Sequence, residues 1–266
     1  MRRHDHAKAI VGQLWPVIEQ DAQRALEAAL TGDDPYSRRM AFRAVFAAVE
    51  GSVHGLKQVV LAGIESQRHR YTDAEIAMLR EEAYSLDDRG VAGARGRFLP
   101  LDANIRFAFD MIIREANLPL GIDWAGDGWH ALKRSLEVRH RVTHPKLGTD
   151  VEVSPEEVSD LSKVYEWFRT SVGRTLARAL LSAREKNYRL LDRLLGPAAL
   201  EVLDFTDPEG NPALVDAARA GDAAAAVQEV LKDHGIARFV DEVFELTESG
   251  RDYLRWRRDP WSADTF

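Results

Sequence analysis

The sequence predicts an all-α protein whose C-terminal region is mostly helical and contains a small hairpin. Apolar residues recur at intervals of three and four over most of the 266 residues, which is the period of an amphipathic helix. The pairs Asp34-Pro35 and Ser154-Pro155 are helix start signals, because they place a capping side chain before a proline in the first turn. Residues 235–246 are the segment that can pair as a hairpin.

Composition restricts the possible functions. The chain contains no cysteine, which excludes disulfides, thiolate catalysis and zinc–cysteine modules and suits a reducing cytoplasm. The N-terminus has no apolar segment typical of a signal peptide. The sequence contains no run of about 18 apolar residues, so no membrane-spanning helix is expected. The formal net charge of -7 argues against a protein that coats nucleic acid, although it allows a local basic patch. We therefore expect a soluble cytoplasmic protein.

The first two helices are predicted at 7–30 and 36–67. Pro16 is awkward in a helix interior and marks either a kink or a late start. Asp34 is the expected N-cap of the second helix, with Pro35 at its first position. Two consecutive helices with a short link predict an antiparallel helical hairpin.

The middle of the chain continues the helical pattern with one interruption. Residues 88–97 interleave glycine with arginine and lack periodicity, so they are interpreted as an exposed loop, and contact with RNA phosphates is the less favoured interpretation. The remaining predictions are a helix from Thr72 to about Tyr84, helices at 101–116 and 128–142, a turn at 123–127, and a helix that Ser154 caps.

A change in organisation near residue 172 predicts two domains, 1–172 and 173–266. The second is expected to hold a helix over 172–195, punctuation at Gly196-Pro197, and a final helix that starts at Thr247–Gly250. Two short helices are also expected, near 212–219 and 222–233.

The candidate chemistry is concentrated in Arg139-His140-Arg141-Val142-Thr143-His144-Pro145. Because Pro145 disfavours α geometry in the residue before it, the helix is expected to end near Val142 or Thr143, with His144 just beyond it. Residues five apart do not share a helix face, so the end of the helix must free His144 to turn back toward Arg139. His140 and His144 are four apart and would share a face if the helix persisted.

This motif resembles the signature of HEPN domains, in which an arginine is followed after four to six residues by a histidine. Arg139, His140 and His144 match the pattern, since the family favours Asn, Asp or His directly after the arginine. The long helical hairpin before the motif and the amphipathic helix after it fit the same family. Three short segments also resemble a bacterial HEPN-like group, namely Phe98-Leu99-Pro100-Leu101, Gly128-Trp129 and Arg141–Pro145. The resemblance covers roughly residues 1–172 and implies a HEPN-like helical bundle.

The resemblance implies a ribonuclease that needs neither a metal ion nor a cofactor and that acts as a homodimer, with the motifs of two subunits facing one cleft. In that chemistry a ribose 2′-OH attacks the adjacent phosphate and leaves a 2′,3′-cyclic phosphate. His144 would move the proton, Arg139 would bind the phosphate oxygens, and His140 would orient the phosphate or share the proton transfer. Arg141 and Lys146 are expected to bind the RNA backbone. The resemblance also implies that the enzyme acts in a toxin–antitoxin system or in phage defence, with an antitoxin as a further partner.

Other interpretations remain open for the same residues. The basic residues at 139–146 also suit a solvated helix end, where the helix dipole favours cations. A second alternative is a non-catalytic HEPN-like module that binds nucleotides or a partner protein, since many HEPN domains are not catalytic. His140 and His144 have the spacing of two zinc ligands, but the flanking cations oppose a dication. Glu50 would either face the motif, where it could tune His144 or anchor an arginine, or be a solvated or core-edge glutamate, and the second is favoured.

The tail from Gly235 to Leu254 resembles the wing and final helix of winged helix-turn-helix domains, which raises a transcriptional regulator as a third function. A DNA reader presents basic residues on its recognition helix. The candidate helix, 222–233, contains one lysine and several acids, which argues against DNA binding.

Overall fold

Helices form most of the structure, which confirms the all-α prediction. The computed structural model describes residues 10–86, 89, 92–96, 99–119, 121–204, 232–233, 235–240 and 243–258. The chain divides into two compact units, Met1–Ser182 and Ala183–Phe266. The domain division predicted at residue 172 stays a prediction.

The first two long helices form the predicted pair. A π-helical turn, Ile10–Leu14, leads into α1, Trp15–Thr31, and α2 follows at Pro35–Gln67. Pro16 lies in the first turn of α1, so it marks a late start of the α-helix. The Asp34 carboxylate caps α2 by accepting hydrogen bonds from the backbone N–H groups of Tyr36 at 3.1 Å and Ser37 at 2.9 Å. The hydrogen bond from the Ser37 side chain contributes most to lowering the pKa of Asp34.

The segment after α2 differs from the prediction. A 3-10 turn, Arg68–Arg70, precedes α3, Asp73–Leu79, which Thr72 and Glu75 cap reciprocally. The predicted extension of this helix to Tyr84 is wrong, because Glu81 adopts a left-handed backbone with φ of 57° and takes the chain out of the helix.

Strand β1, Glu82–Leu86, then pairs antiparallel with β2, Ala92–Gly96. The exposed loop predicted at 88–97 is therefore wrong for residues 92–96. Five-residue strands, one of them rich in glycine and alanine, carry too little apolar alternation to be recognised in the sequence.

The next two helices match the prediction closely. Helix α4 spans Leu101–Ala116 and ends at Asn117, whose left-handed conformation is common for asparagine at a helix C-terminus. Helix α5 spans Asp127–Thr143 and carries the candidate motif in its last turn. A 3-10 turn, Gly148–Val151, connects it to the helix that follows.

Helix α6, Pro155–Asp204, is longer than expected. Its start is capped as predicted, since the Ser154 N–H donates to Glu157 Oε2 at 2.9 Å and the Glu157 N–H donates to Ser154 Oγ at 3.3 Å. The predicted stretches on either side of residue 172 belong to one helix. The helix also continues through Gly196 and Pro197, where punctuation was expected.

All six helices contribute to the core of the first unit. Helices α1 and α4 both pack on α2, and α2 also contacts α3 and α5. The largest side chains that are fully buried here are Phe42, Phe46, Leu56, Lys57, Leu79, Ile105, Phe109, Ile112, Trp129, Leu132 and Leu161. This core fixes the position of α5 against α2, which positions the motif.

The second unit contains the predicted hairpin and final helix. Strand β3, Ala237–Val240, pairs antiparallel with β4, Val243–Leu246, and α7 spans Glu248–Arg258. The Thr247 hydroxyl donates to the carbonyl of Gly235 at 2.6 Å and accepts from the Gly250 N–H at 3.0 Å, which joins the hairpin to the helix. The short helices expected at 212–219 and 222–233 lie outside the described residues, apart from 232–233. In the described ranges no helix has both the length and the apolarity to cross a bilayer.

Candidate active site

Helix α5 ends where the sequence predicted. Thr143 is its last residue, and His144 has left the helical conformation with φ of -127° and ψ of 58°. The His144 N–H still donates to the carbonyl of His140 at 3.0 Å, which closes the final turn. Pro145 follows and cannot continue the helix, because its nitrogen carries no hydrogen. The motif therefore lies at a fixed helix terminus.

The two imidazole rings of the motif are neighbours. The ring centroids of His140 and His144 are 5.4 Å apart and their planes are tilted by 58°. Both side chains are exposed to solvent. The four-residue spacing therefore places the two rings on one face at the end of the helix.

Arg139 points to a different neighbour. Its Nη2 binds Glu50 Oε1 of α2, and its Cζ lies 5.7 Å from the centroid of the Phe46 ring. His144 lies beside His140 and has not turned back to Arg139; within the described part of the chain, no hydrogen bond joins these two side chains. An arginine has five N–H donors, so the contact with Glu50 leaves further donors that a phosphate can accept from.

Glu50 belongs to the site, because it binds Arg139. It was expected to be an ordinary glutamate at the core edge, yet it anchors the motif arginine. The sequence contains one indication of this role. Glu50 is the only acidic residue between Pro35 and Ile64, and it lies among the apolar residues of α2. Only the pairing of α2 with α5, which the sequence does not specify, identifies its partner.

The guanidinium of Arg141 forms hydrogen bonds to other groups of the protein. Its Nη2 binds both carboxylate oxygens of Glu157, at 2.6 and 2.7 Å, and its Nη1 donates to the carbonyls of Asp150, at 2.9 Å, and of Glu152. This arginine ties the end of α5 to the start of α6. The predicted role in binding RNA stays a prediction, and in this conformation it would require Arg141 to exchange these bonds.

Lys146 lies two residues beyond His144, in the loop between α5 and the 3-10 turn. The backbone N–H groups of Lys146 and Leu147 donate to Asp150 Oδ2 at 2.7 and 2.8 Å, and these two hydrogen bonds lower the pKa of Asp150. The Lys146 side chain is exposed. The predicted role of Lys146 in binding the RNA backbone stays a prediction.

The arrangement does not form a metal centre within the described residues, where no cluster of three or more histidine, aspartate or glutamate side chains could hold an ion. Structural zinc sites use four protein ligands and catalytic sites use three. His140 and His144 supply two.

The chain matches no protein-family model, no curated protein and no solved structure. Imidazole rings can act as general acids and bases, and a guanidinium held by a carboxylate can bind an anion in a fixed orientation. These capacities suit the transfer or cleavage of a phosphodiester.

Proposed function

We propose that this protein is a metal-independent endoribonuclease of the HEPN type, with Arg139, His140 and His144 as its catalytic residues. The observation that supports the proposal most is the end of α5, where exposed His140 and His144 rings lie 5.4 Å apart. Arg139, in the same turn, is oriented by Glu50. The sequence motif and the geometry thus favour the same chemistry.

Two histidines divide the proton transfers of RNA cleavage. One neutral imidazole accepts the proton of the ribose 2′-OH while O2′ attacks the adjacent phosphorus. The P–O5′ bond breaks, and the leaving oxygen takes a proton from the other ring in its imidazolium form. The products are a 2′,3′-cyclic phosphate and a 5′-OH. General acid–base catalysis of this kind contributes about 10²–10⁴-fold. We propose that His144 contributes more to this rate enhancement than His140 does, because His144 lies at the free end of the helix.

Arg139 stabilises the charge that develops on the phosphate. A guanidinium remains protonated throughout and offers several donors in a fixed plane, so it binds the equatorial oxygens without proton exchange. Glu50 and Phe46 limit the orientations of this side chain before RNA binds. Exposed Lys146 would bind the neighbouring backbone phosphate.

The proposal includes a cytoplasmic homodimer that presents two copies of the motif to one RNA. A toxin or phage-defence role, with an antitoxin as partner, is the biological setting that we propose. The overall negative charge suits such an enzyme, because it limits indiscriminate binding to RNA.

The test is incubation of the purified protein with a labelled RNA in the presence of EDTA. We expect cleavage products that end in a 2′,3′-cyclic phosphate, identified by mass spectrometry. Arg139→Ala and His144→Ala should each lower the rate by at least about 10²-fold.

The matched controls are His130→Ala and Arg134→Ala, which remove an exposed histidine and an exposed arginine from earlier turns of the same helix. Both controls should keep full activity. If the active-site variants cleave as fast as the controls do, the site is not at 139–144 and the proposal fails.

A further inference from the structure

The first half of α2 is basic, although the whole chain has a formal net charge of -7. Residues 35–49 include three arginines and no acidic residue. One of the three, Arg38, is engaged within the protein, because it donates to the carbonyl of Val153 at 3.3 Å and forms an ion pair with Asp33. The other two arginines of this segment do not share these contacts.

These two arginines, Arg39 and Arg43, have charge that a ligand can use. Arg43 is exposed, and within the described residues its only hydrogen bond joins Nη1 to the sulfur of Met40 at 4.0 Å. Arg39 is partly exposed, and its charge interacts with that of Asp34. The Asp34 carboxylate accepts hydrogen bonds from the first turn of α2 and from the Ser37 hydroxyl, so it does not hold the Arg39 guanidinium. Both arginines can therefore bind an anion from solution.

An exposed aromatic ring lies on the same side of the helix. Tyr36 is 60% exposed. At about 100° per residue, Tyr36, Arg39 and Arg43 point within about 60° of one another. Glu50 points in the same direction two turns beyond Arg43, and exposed Ala47 between them has only a methyl group. We name Tyr36, Arg39 and Arg43 the α2 basic face.

The α2 basic face leads to the candidate active site. Glu50, on the same side of α2, binds Arg139 of the motif. The end of α5 runs from there toward the start of α2, because Arg141 lines one cavity together with Pro35 and Arg38. The turn that carries the two histidines therefore lies beside the basic half of α2. Since Arg139 compensates the charge of Glu50, this side of α2 remains positive.

We infer that the α2 basic face binds the RNA strand on one side of the scissile phosphate. Arg39 and Arg43 would bind backbone phosphates, and a base would stack on the ring of Tyr36. Cations beside an exposed aromatic ring are the arrangement by which proteins bind single-stranded nucleic acid. The inference rests on the proposed nuclease function, and it adds residues that position the substrate without taking part in the chemistry.

The chemistry of the face favours RNA over other occupants. A free phosphate would use the arginines but would leave the ring of Tyr36 without a contact. An apolar helix would cover the ring but would bury guanidinium groups without carboxylates, which is costly. A second copy of the face would bring like charges together. An RNA strand supplies both the phosphates and the bases.

The first experiment measures RNA binding by fluorescence anisotropy on the full-length His144→Ala protein, in which the proposed cleavage is disabled. The ligand is a labelled single-stranded RNA of about eight nucleotides. Adding Arg39→Ala and Arg43→Ala should weaken binding by about tenfold or more. The slope of log affinity against log salt concentration should become shallower by about 1.4, because each phosphate contact of a single strand contributes about 0.7.

Substitutions of Tyr36 test the stacking contact. Tyr36→Ala should weaken binding by about fivefold or more, and Tyr36→Phe, which keeps the ring, should not weaken it. The control is Arg174→Ala, which removes an exposed arginine of α6. Trp167 of α6 meets the first turn of α5 at Gly128, so Arg174 lies toward the end of the bundle opposite the motif. The control should leave RNA affinity unchanged.

The second experiment keeps His144 and compares cleavage of the same RNA with cleavage of a dinucleotide, which has no flanking phosphate. The double arginine variant should lower kcat/KM for the longer RNA by about tenfold or more and leave the value for the dinucleotide unchanged. Equal loss on both substrates would assign the arginines to the fold or to the cleavage step and would overturn the inference.

RNA affinity that none of the three substitutions changes would also overturn it. So would self-association that disappears in the double arginine variant, because the face would then be a contact between copies of the chain. A parent protein that cleaves neither RNA would contradict the proposed function instead. In that case, weaker RNA binding by the arginine and Tyr36→Ala variants would still support the α2 basic face as an RNA-binding surface.

Discussion

Glu50 is proposed to orient Arg139. Removing it should therefore affect catalysis more than it affects the stability of the fold. The two side chains are 44% and 28% exposed, so their ion pair contributes only about 0–1 kcal/mol to folding. The orientation that Glu50 gives to the guanidinium is expected to matter more in the transition state than in the free protein.

We predict that Glu50→Ala lowers kcat for RNA cleavage by about tenfold or more and changes Tm by only a few degrees. Glu50→Gln keeps an oxygen that can accept from Arg139 and should retain more of the activity. Steady-state kinetics and thermal unfolding of both variants check this. Equal loss in the two variants, accompanied by a large fall in Tm, would assign Glu50 to the fold alone.

Lys57 is a fully buried cation whose partner reaches solvent. Its Nζ binds Glu81 Oε1 at 2.9 Å, and the Glu81 side chain is partly exposed. Burial lowers the pKa of Lys57 although Glu81 opposes that shift. Glu81 also has the left-handed backbone that favours glycine, so the ion pair helps to keep glutamate in that conformation.

Removing the two partners should therefore have unequal effects. Glu81→Ala leaves the buried ammonium of Lys57 without its carboxylate and should cost about 1–3 kcal/mol. Lys57→Met leaves a carboxylate that water can solvate, and it should cost less or stabilise the protein. Urea unfolding of both variants at pH 7 gives the comparison, and a larger loss for Lys57→Met would contradict it.

The same pair predicts how stability depends on pH. Because the pKa of Lys57 is lower in the folded chain than the ordinary 10.5, the unfolded chain binds more protons between these two values. The contribution of Lys57 to the free energy of unfolding therefore rises with pH in that window, and Lys57→Met should remove this rise.

At the scale of elements, the contact between α5 and α6 depends on a glycine. A Cβ at Gly128, in the first turn of α5, would lie 2.2 Å from the Cβ of Trp167 on α6. Neither backbone can yield without moving the whole helix, so Gly128→Ala should cost about 1–3 kcal/mol.

Gly173 on α6 provides the matched control, because no atom lies within 4 Å of the position that its Cβ would take. Gly173→Ala should stabilise the protein by up to about 1 kcal/mol, since alanine is the better helix former. Urea denaturation measures both changes. Similar effects of the two substitutions would show that α5 and α6 do not approach so closely in solution.

The elements also show which sequence signals are reliable. Asp34, Ser154 and Pro145 determine helix boundaries by hydrogen bonds or by steric exclusion within a few residues, so their effects were predictable. The β1–β2 hairpin depends on pairing between short strands with little apolar alternation, and it was missed. In the site, the adjacency of His140 and His144 followed from spacing. The partners of Arg139 and Arg141 did not, because they belong to other elements.

For the whole molecule, the proposed function includes a dimer. If the motifs of two protomers line one cleft, each inactive variant can supply the residue that the other lacks. We predict that mixing Arg139→Ala with His144→Ala protein restores part of the RNA cleavage that neither shows alone. The measurement is the rate of cyclic-phosphate formation in the mixture after subunit exchange.

Sedimentation equilibrium under the same conditions should show a dimer. A protein that stays monomeric at micromolar concentration and still cleaves RNA would demonstrate that one motif suffices. The cleft between protomers would then be wrong, while the assignment of the catalytic residues would remain.

The pair of imidazoles at the end of α5 also has a practical consequence for handling the protein. Two exposed rings separated by one helical turn can chelate Ni²⁺ or Cu²⁺, which bind imidazole strongly. Traces of either ion carried over from an affinity column would occupy the ring nitrogens that exchange protons in the proposed mechanism. A chelator would then raise the rate of a preparation contaminated in this way, the opposite of its effect on enzymes that depend on a bound ion.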